Sequence, residues 1–261
     1  GTLSILMVAR IARRLFGSTL LGCTAGLLLA VDGIHFVHSR TGLLDVFVMF
    51  WALAAFGCLL ADRDAARAHL DRTGTLPLWR PWRLGAALSL GLCIGTKWSG
   101  LFFLAAFGLM TVLWDVAARR SAGTRRWALR GVLGDGLLGF VQLVPIALAV
   151  YVASWAGWFA SSDGYLRGWA DGHPASGAAR LLPDAVRSLW EYHRQMWGFN
   201  TTLTTPHSYQ SHPWSWLVMG RPTAFDYRGY QPGERGCGSI ECSRAITDLG
   251  NPVVWWGGTV A

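Results

Sequence analysis

The stretch VDGIHFVHSRTGLLDVFVMF, residues 31–50, lies between two long apolar runs yet carries Asp32, His35, His38, Arg40 and Asp45. Ionisable groups beside apolar sequence are expensive, so they must be paired, solvated or functional. The sequence on either side decides the kind of core. Apolar residues make up 52% of the 261-residue chain and charged residues 15%, where a soluble domain carries about 25% charged. The apolar residues gather into runs over 18–37, 42–61, 84–114 and 131–159. Each is near or above the ~20 residues that cross a ~30 Å hydrocarbon layer. A soluble core would need four helices that are apolar on every face. The expected fold class is an all-α polytopic membrane protein.

Residues 1–9 and 252–261 read as incomplete apolar helices, the second being the start of a further span. We therefore read the chain as an internal piece of a longer protein, cut through one membrane helix at each end. The net charge of +8 does not point to nucleic acid, because the basic residues are not interleaved with aromatics on one face. They fall instead in three short connections: Arg10, Arg13 and Arg14; five Arg against three Asp over 62–83; and five Arg against one Asp over 115–130. The stretch 160–251 holds eight residues of each sign. Basic loops stay on the cytoplasmic side, which places 160–251 outside the cell membrane, as an exoplasmic loop region.

Basic segments on both sides of 84–114 require that run to return to the side it left. Thirty-one residues in one straight helix would cover about 46 Å and end on the wrong side. The expectation is a hairpin of two short arms turning at GTKWSG, with Lys97 at the tip. Within the exoplasmic region, AARLLPDAVRSLWEYHRQMW repeats apolar residues at helical spacing. It suits an interfacial helix and equally a helix packed on the bundle. Nine of the fifteen Trp lie from Trp155 onward, as expected near headgroups. Cys237 and Cys242, on the oxidising side, are expected to form a disulfide.

The ionisable residues of 31–50 admit two readings. One is structural: an Arg40–Asp45 or Arg40–Asp32 ion pair joining two helices. The other is functional: a guanidinium whose planar fork suits a lipid phosphate, with Asp45 orienting it. Lys97 either snorkels or supplies a second cation to the same phosphate. His35 and His38, at i and i+3, are read as supporting hydrogen-bonders; without a third ligand nearby, no metal site is expected. TPHSYQSHPWSW, over 205–216, combines hydrogen-bonding groups with aromatic faces that suit a sugar, although an interfacial loop anchored by Trp would look the same.

Taken together, DGIHFVHSRTGLLD, GLCIGTKWSG, YHRQMWGF, HSYQSHPWSW and CGSIECSRAITDLGNPVVWW resemble the protein O-mannosyltransferases in their actinobacterial form. The match extends over nearly the whole chain. The resemblance implies a GT-C-type transmembrane helix bundle and an enzyme of the plasma membrane with its site facing outward. Such enzymes take mannose from polyprenyl-phosphate-mannose and attach it to Ser or Thr hydroxyls of exported proteins. It implies lipid-phosphate binding by Arg40 and Lys97, and a sugar or acceptor loop carrying His207, Gln210, Ser211, Trp214 and Trp216. Asn200 stands where the family has His, and no role is assigned to it.

The family's Asp-Glu pair, whose carboxylate acts as base, is expected upstream of Gly1, and no residue here matches it. The catalytic base is therefore unassigned, and the isolated chain is expected to be inactive. The implied partners are the lipid-linked donor, an unfolded or translocating protein acceptor and the secretion machinery, with no nucleic acid. No prosthetic group is implied, and a metal requirement is left open. Two alternatives remain: a related transferase with another sugar or acceptor, and a non-catalytic transporter or lipid-binding protein. The second is disfavoured by the lack of an inverted repeat.

Overall fold

The computed structural model describes residues 1–206 and 209–260. It contains two compact units: Gly1–Ala149 together with Tyr209–Ala261, and Val150–Ser208. In the first, α1 (Thr2–Phe16) and α2 (Thr19–Ala30) pack closely side by side. Their backbones nearly touch at Gly22, where an added Cβ would lie 2.7 Å from the Ala9 carbonyl oxygen. The helix expected over 1–9 thus runs on to Phe16, because RIARRLF holds no breaker before Gly17, and the three arginines lie on a helix. The span expected over 18–37 is broken. α2 stops at Ala30, and α3 (Gly33–His38) restarts with Asp32 as its N-cap, its carboxylate accepting the His35 N–H.

α4 (Asp45–Thr73) has 29 residues, twelve more than its apolar stretch suggested at the C-terminal end, and continues into the basic segment. α5 (Pro81–Thr96) and α6 (Gly100–Ser121) form the hairpin around Lys97. Its arms are unequal: 16 and 22 residues. α6 persists through DVAARRS because Asp115 is neutralised and no glycine intervenes until Gly123. After α7 (Trp127–Leu129), a π-helical segment Arg130–Gly136 leads into α8 (Leu137–Ala153). Among the described residues, three helical runs are long and apolar enough to cross a membrane: Asp45–Thr73, Gly100–Ser121 and Trp127–Ala160.

The basic segments between helices are less solvated than their composition suggests. Arg80 donates bidentately to Asp62, at 2.9 and 2.6 Å, and also reaches Asp115 at 2.8 Å. Arg83 joins Asp62 and Asp115 at 3.3 and 2.8 Å. All four side chains are buried, Arg83 being only 1% exposed. Two Arg against two Asp make a neutral cluster that fastens the N-terminal turn of α5 between α4 and α6. Arg119 is likewise held by Asp135. Burying charge is tolerable only because every member is met by an opposite one.

The remainder of the first unit contains an antiparallel pair, β1 (Thr223–Tyr230) and β2 (Cys242–Asp248), in the register Tyr230↔Cys242 and Thr223↔Asp248. Cys237 and Cys242 form a disulfide, Cα to Cα 5.8 Å, in the connection into β2. This hairpin stands beside an otherwise helical fold and was not anticipated, although FDYR alternates with period two. The second unit holds α9 (Ala156–Ala160) and α10 (Asp184–Thr202). On α10, Ser188 accepts the Ala170 N–H, Glu191 is buried, and Tyr192 packs edge-on against Trp155. Trp190 and Trp197, 74% and 64% exposed, face outward.

Replacing Arg83 by Met leaves two buried carboxylates sharing Arg80, and breaking such a pair costs about 3–5 kcal/mol. Thermal unfolding of the full-length protein in detergent should show a clear drop in Tm. Pairing Arg83→Met with Asp115→Asn, which restores neutrality, should recover part of it. Equal losses in the single and double variants would show that the four charges do not act as a unit.

Candidate functional site

The site grows from Asp32. This residue is 6% exposed and every contact it makes is with an N–H donor. One carboxylate oxygen accepts the His35 backbone N–H at 3.2 Å, and the other accepts the Asn251 backbone N–H at 2.9 Å and the Trp255 indole N–H at 3.0 Å. A single anion thus lies at the N-termini of α3 and α11 (Pro252–Val260), the end of a helix that favours negative charge. Asn251 caps α11 in its own right by accepting the Val253 N–H, and Pro252 takes the first helical position, where no N–H is required.

Two more contacts fix α3. Gly33 lies directly against the Leu249 carbonyl oxygen, so that any Cβ there would collide with backbone. At the other end of α3, His38 Nε2 meets Asp248 Oδ2 at 2.9 Å. Burial pushes the Asp248 carboxyl above its usual range; the His38 contact opposes this, and the charge of Asp32 adds to it. The six residues of α3 are therefore held at both ends by the segment running from the end of β2 into α11.

Arg40 follows α3 in a turn closed by the Arg40 and Thr41 N–H groups on the Val37 carbonyl. Its guanidinium is exposed and lies over the Phe36 ring, 4.7 Å from the centroid. Neither expected ion pair forms. Asp32 is taken up by N–H donors, and Asp45 is bound by Lys97 at 2.8 Å, a pair about half exposed on both sides. Lys97 is the extended residue that ends α5, and the bend of the hairpin carries its side chain to the first turn of α4. Among the described residues no carboxylate reaches Arg40.

Two cavities meet at His35. One, of about 280 Å³, is walled by Thr2, Ile5, Phe36, Ser39 and Arg40 along with His35. The other, of about 260 Å³, is lined by Asp32, His35, His38, Asp45, Met49 and Trp255 together with aliphatic side chains. His35 is 6% exposed, and among the described residues its Nε2 has no hydrogen-bond partner. Among the described residues no group of three or more His, Cys, Asp or Glu side chains could hold a metal ion.

The aromatic loop forms a short 3₁₀ turn, Pro213–Val218, in which the Trp216 indole donates to Ser211 Oγ at 2.8 Å. The Gln210 carbonyl accepts from Arg221. Trp214 and Trp216 are 78% and 58% exposed, their faces uncovered. His207 lies outside the described residues. α11 ties this turn down, since Trp256 donates to the Val218 carbonyl and Thr259 to that of Leu217. One helix start therefore anchors both the arginine turn and the aromatic loop. Sequence reading gave Asp248, Asn251 and Trp255 no role; the Asn-Pro pair ahead of an apolar run was the available signal for a capped helix.

Long apolar helices that bury a neutral charge network define a membrane-embedded helical protein. The family comparisons agree. The family model described as dolichyl-phosphate-mannose-protein mannosyltransferase matches residues 1–159, and that described as the C-terminal four TMM region of protein-O-mannosyltransferase matches 185–261. The chain belongs to the protein mannosyltransferase family. It is 40% identical to the polyprenol-phosphate-mannose–protein mannosyltransferases of Mycolicibacterium smegmatis and Mycobacterium tuberculosis, over 98% of this chain and 52% of each relative. It is 34% identical to that of Corynebacterium glutamicum over the same shares. The chain thus spans about half the length of the curated relatives it matches. No solved structure matches it significantly.

Asp32→Ala should release two amides together. Hydrogen exchange of the full-length protein should speed up at both His35 and Asn251, while α4 and α6 stay protected. Faster exchange at only one of the two would show that the carboxylate does not couple the helices.

Proposed function

We propose that this chain supplies the donor-phosphate side of a membrane mannosyltransferase, which moves mannose from a polyprenyl-phosphate carrier to Ser or Thr hydroxyls of exported proteins. The observation that carries this is the state of Arg40. Its guanidinium borders a cavity and, among the described residues, no carboxylate engages it, whereas both nearby acids, Asp32 and Asp45, are already occupied. A buried structural ion pair would have used one of them. An exposed arginine fork beside a cavity suits the two oxygens of a phosphodiester.

In the proposed reaction the acceptor oxygen bonds to the anomeric carbon as the bond from that carbon to the phosphate oxygen breaks, inverting the centre. The electron pair leaves with the polyprenyl phosphate. The hydroxyl proton passes to a carboxylate, assigned to the Asp-Glu pair expected outside this chain. Arg40 stabilises the charge growing on the departing phosphate. Lys97, which Asp45 holds, contributes a second cation, so the phosphate competes with Asp45 for the ammonium. His35 and His38 support the turn. Gln210, Ser211, Trp214 and Trp216 offer hydrogen bonds and ring faces to the sugar or the acceptor. The same reading places the site on the exoplasmic face of the plasma membrane, near the secretion machinery that delivers acceptors.

In the full-length protein, Arg40→Ala should lower mannosyl transfer by about 10²–10³-fold, the usual cost of losing one charge-stabilising donor, with expression and Tm unchanged. Arg40→Lys, which keeps the charge but not the fork, should fall between. Full transfer by a well-folded Arg40→Ala enzyme would overturn the assignment.

A further inference from the structure

We propose that the cavity at the C-terminal end of α1, lined by Arg10, Arg13 and Arg14, binds the phosphate of an anionic phospholipid. The cavity measures about 380 Å³, and these three side chains form its lining. Arg14 is held by Asp64, Nε to Oδ2 2.7 Å, in an exposed pair. Among the described residues, Arg10 and Arg13 have neither a hydrogen-bond nor an ion-pair partner. The surplus charge of the site is thus two guanidinium groups lining one cavity, donors of the kind that suit a phosphate diester.

Two simpler explanations account for part of this. Cations are favoured in the last turn of a helix, where Arg13 and Arg14 lie, and basic residues at membrane edges fix orientation. Either needs only positive charge at that end. Neither requires three arginines to line one cavity.

The helix surface leading to the cavity identifies the ligand as a lipid. Leu3, Leu6, Arg10 and Arg13 follow one another at three- and four-residue steps and so share one face of α1. Leu3 and Leu6 are 61% and 53% exposed. Just past the turn, Leu20 and Leu21 of α2 are also exposed. An apolar track ending in paired guanidinium groups fits acyl chains ending in a phosphate, and basic pockets beside membrane helices commonly bind such headgroups. A free phosphate would leave the track uncovered. The site is separate from the Arg40 cavity, which touches the opposite end of α1 at Thr2 and Ile5. At 1.5 Å per residue, Thr2 and Arg13 are about 16 Å apart along the axis.

The test uses purified full-length protein and native mass spectrometry, titrating phosphatidylglycerol and phosphatidylcholine separately. The wild type should retain phosphatidylglycerol preferentially. Arg10→Gln with Arg13→Gln should weaken that retention by at least about tenfold, leave phosphatidylcholine unchanged and leave mannosyl transfer in detergent unchanged. Arg125→Gln with Arg126→Gln removes equal charge elsewhere and should behave like wild type. Inorganic phosphate at millimolar concentration should not displace the lipid. Wild-type retention by the Arg10/Arg13 variant, an equal loss in the Arg125/Arg126 control, or displacement by inorganic phosphate would each overturn the proposal. Should the Gln variant fail to fold, Arg10→Lys with Arg13→Lys decides: weaker retention supports the site, and unchanged retention overturns it.

Discussion

The arrangement of the first unit depends on one carboxylate surrounded by N–H donors. Asp32 is nearly inaccessible, yet it faces no cation at hydrogen-bonding distance; its oxygens are met by two backbone amides and an indole. Three directed donors in a dry environment hold an anion firmly, because the alternative is an unsatisfied charge. Those donors belong to segments more than two hundred residues apart, and one helix start, α11, also carries the ties to the Pro213–Val218 turn. Local geometry around residue 32 therefore links the arginine turn and the two cavities to α11, which in turn ties down the Pro213–Val218 turn.

This use of Asp32 changes the role of its neighbours. With Asp32 committed to amides and Asp45 committed to Lys97, Arg40 is left with charge that the fold does not consume. The network around Arg80 and Arg83 shows the contrasting case. There the same residue types are buried in equal numbers of each sign, and the result fastens helices together. Composition alone cannot separate an arginine that holds helices from one that waits for a ligand; the difference lies in whether a carboxylate is within reach.

That limit explains what the sequence revealed. The apolar runs and the turn at Lys97 were legible because length and hydropathy are local properties, but the second arm, expected to be short, is the 22-residue α6. Helix ends were less legible. Arg10 to Arg14 looked like a connection and lie on a helix, since nothing in RIARRLF disfavours one before Gly17. The break at Asp32 looked like the middle of a span, since the donors that make it a cap come from Asn251 and Trp255. Arg40 was identified by residue type and setting, but its candidate partners were misjudged for the same reason: pairing is settled by distant sequence. The β1–β2 hairpin was missed because a short two-stranded element produces only a brief alternation in a loop rich in turns.

α1 borders both the cavity that Arg40 lines and the cavity that Arg10, Arg13 and Arg14 line. Its first residues wall the cavity that holds Arg40, and its last turns carry the arginines of the other cavity. Between them α1 is packed against α2 with no room to shift: Gly22 leaves no space beside the Ala9 carbonyl, and Gly26 would bring a Cβ to 3.0 Å from Ala9 Cβ. A helix seated this closely moves as one body with its partner, and interiors packed at this density transmit displacement instead of absorbing it. Headgroup occupancy at one end of α1 and phosphate binding at the other would then act on the same rigid element.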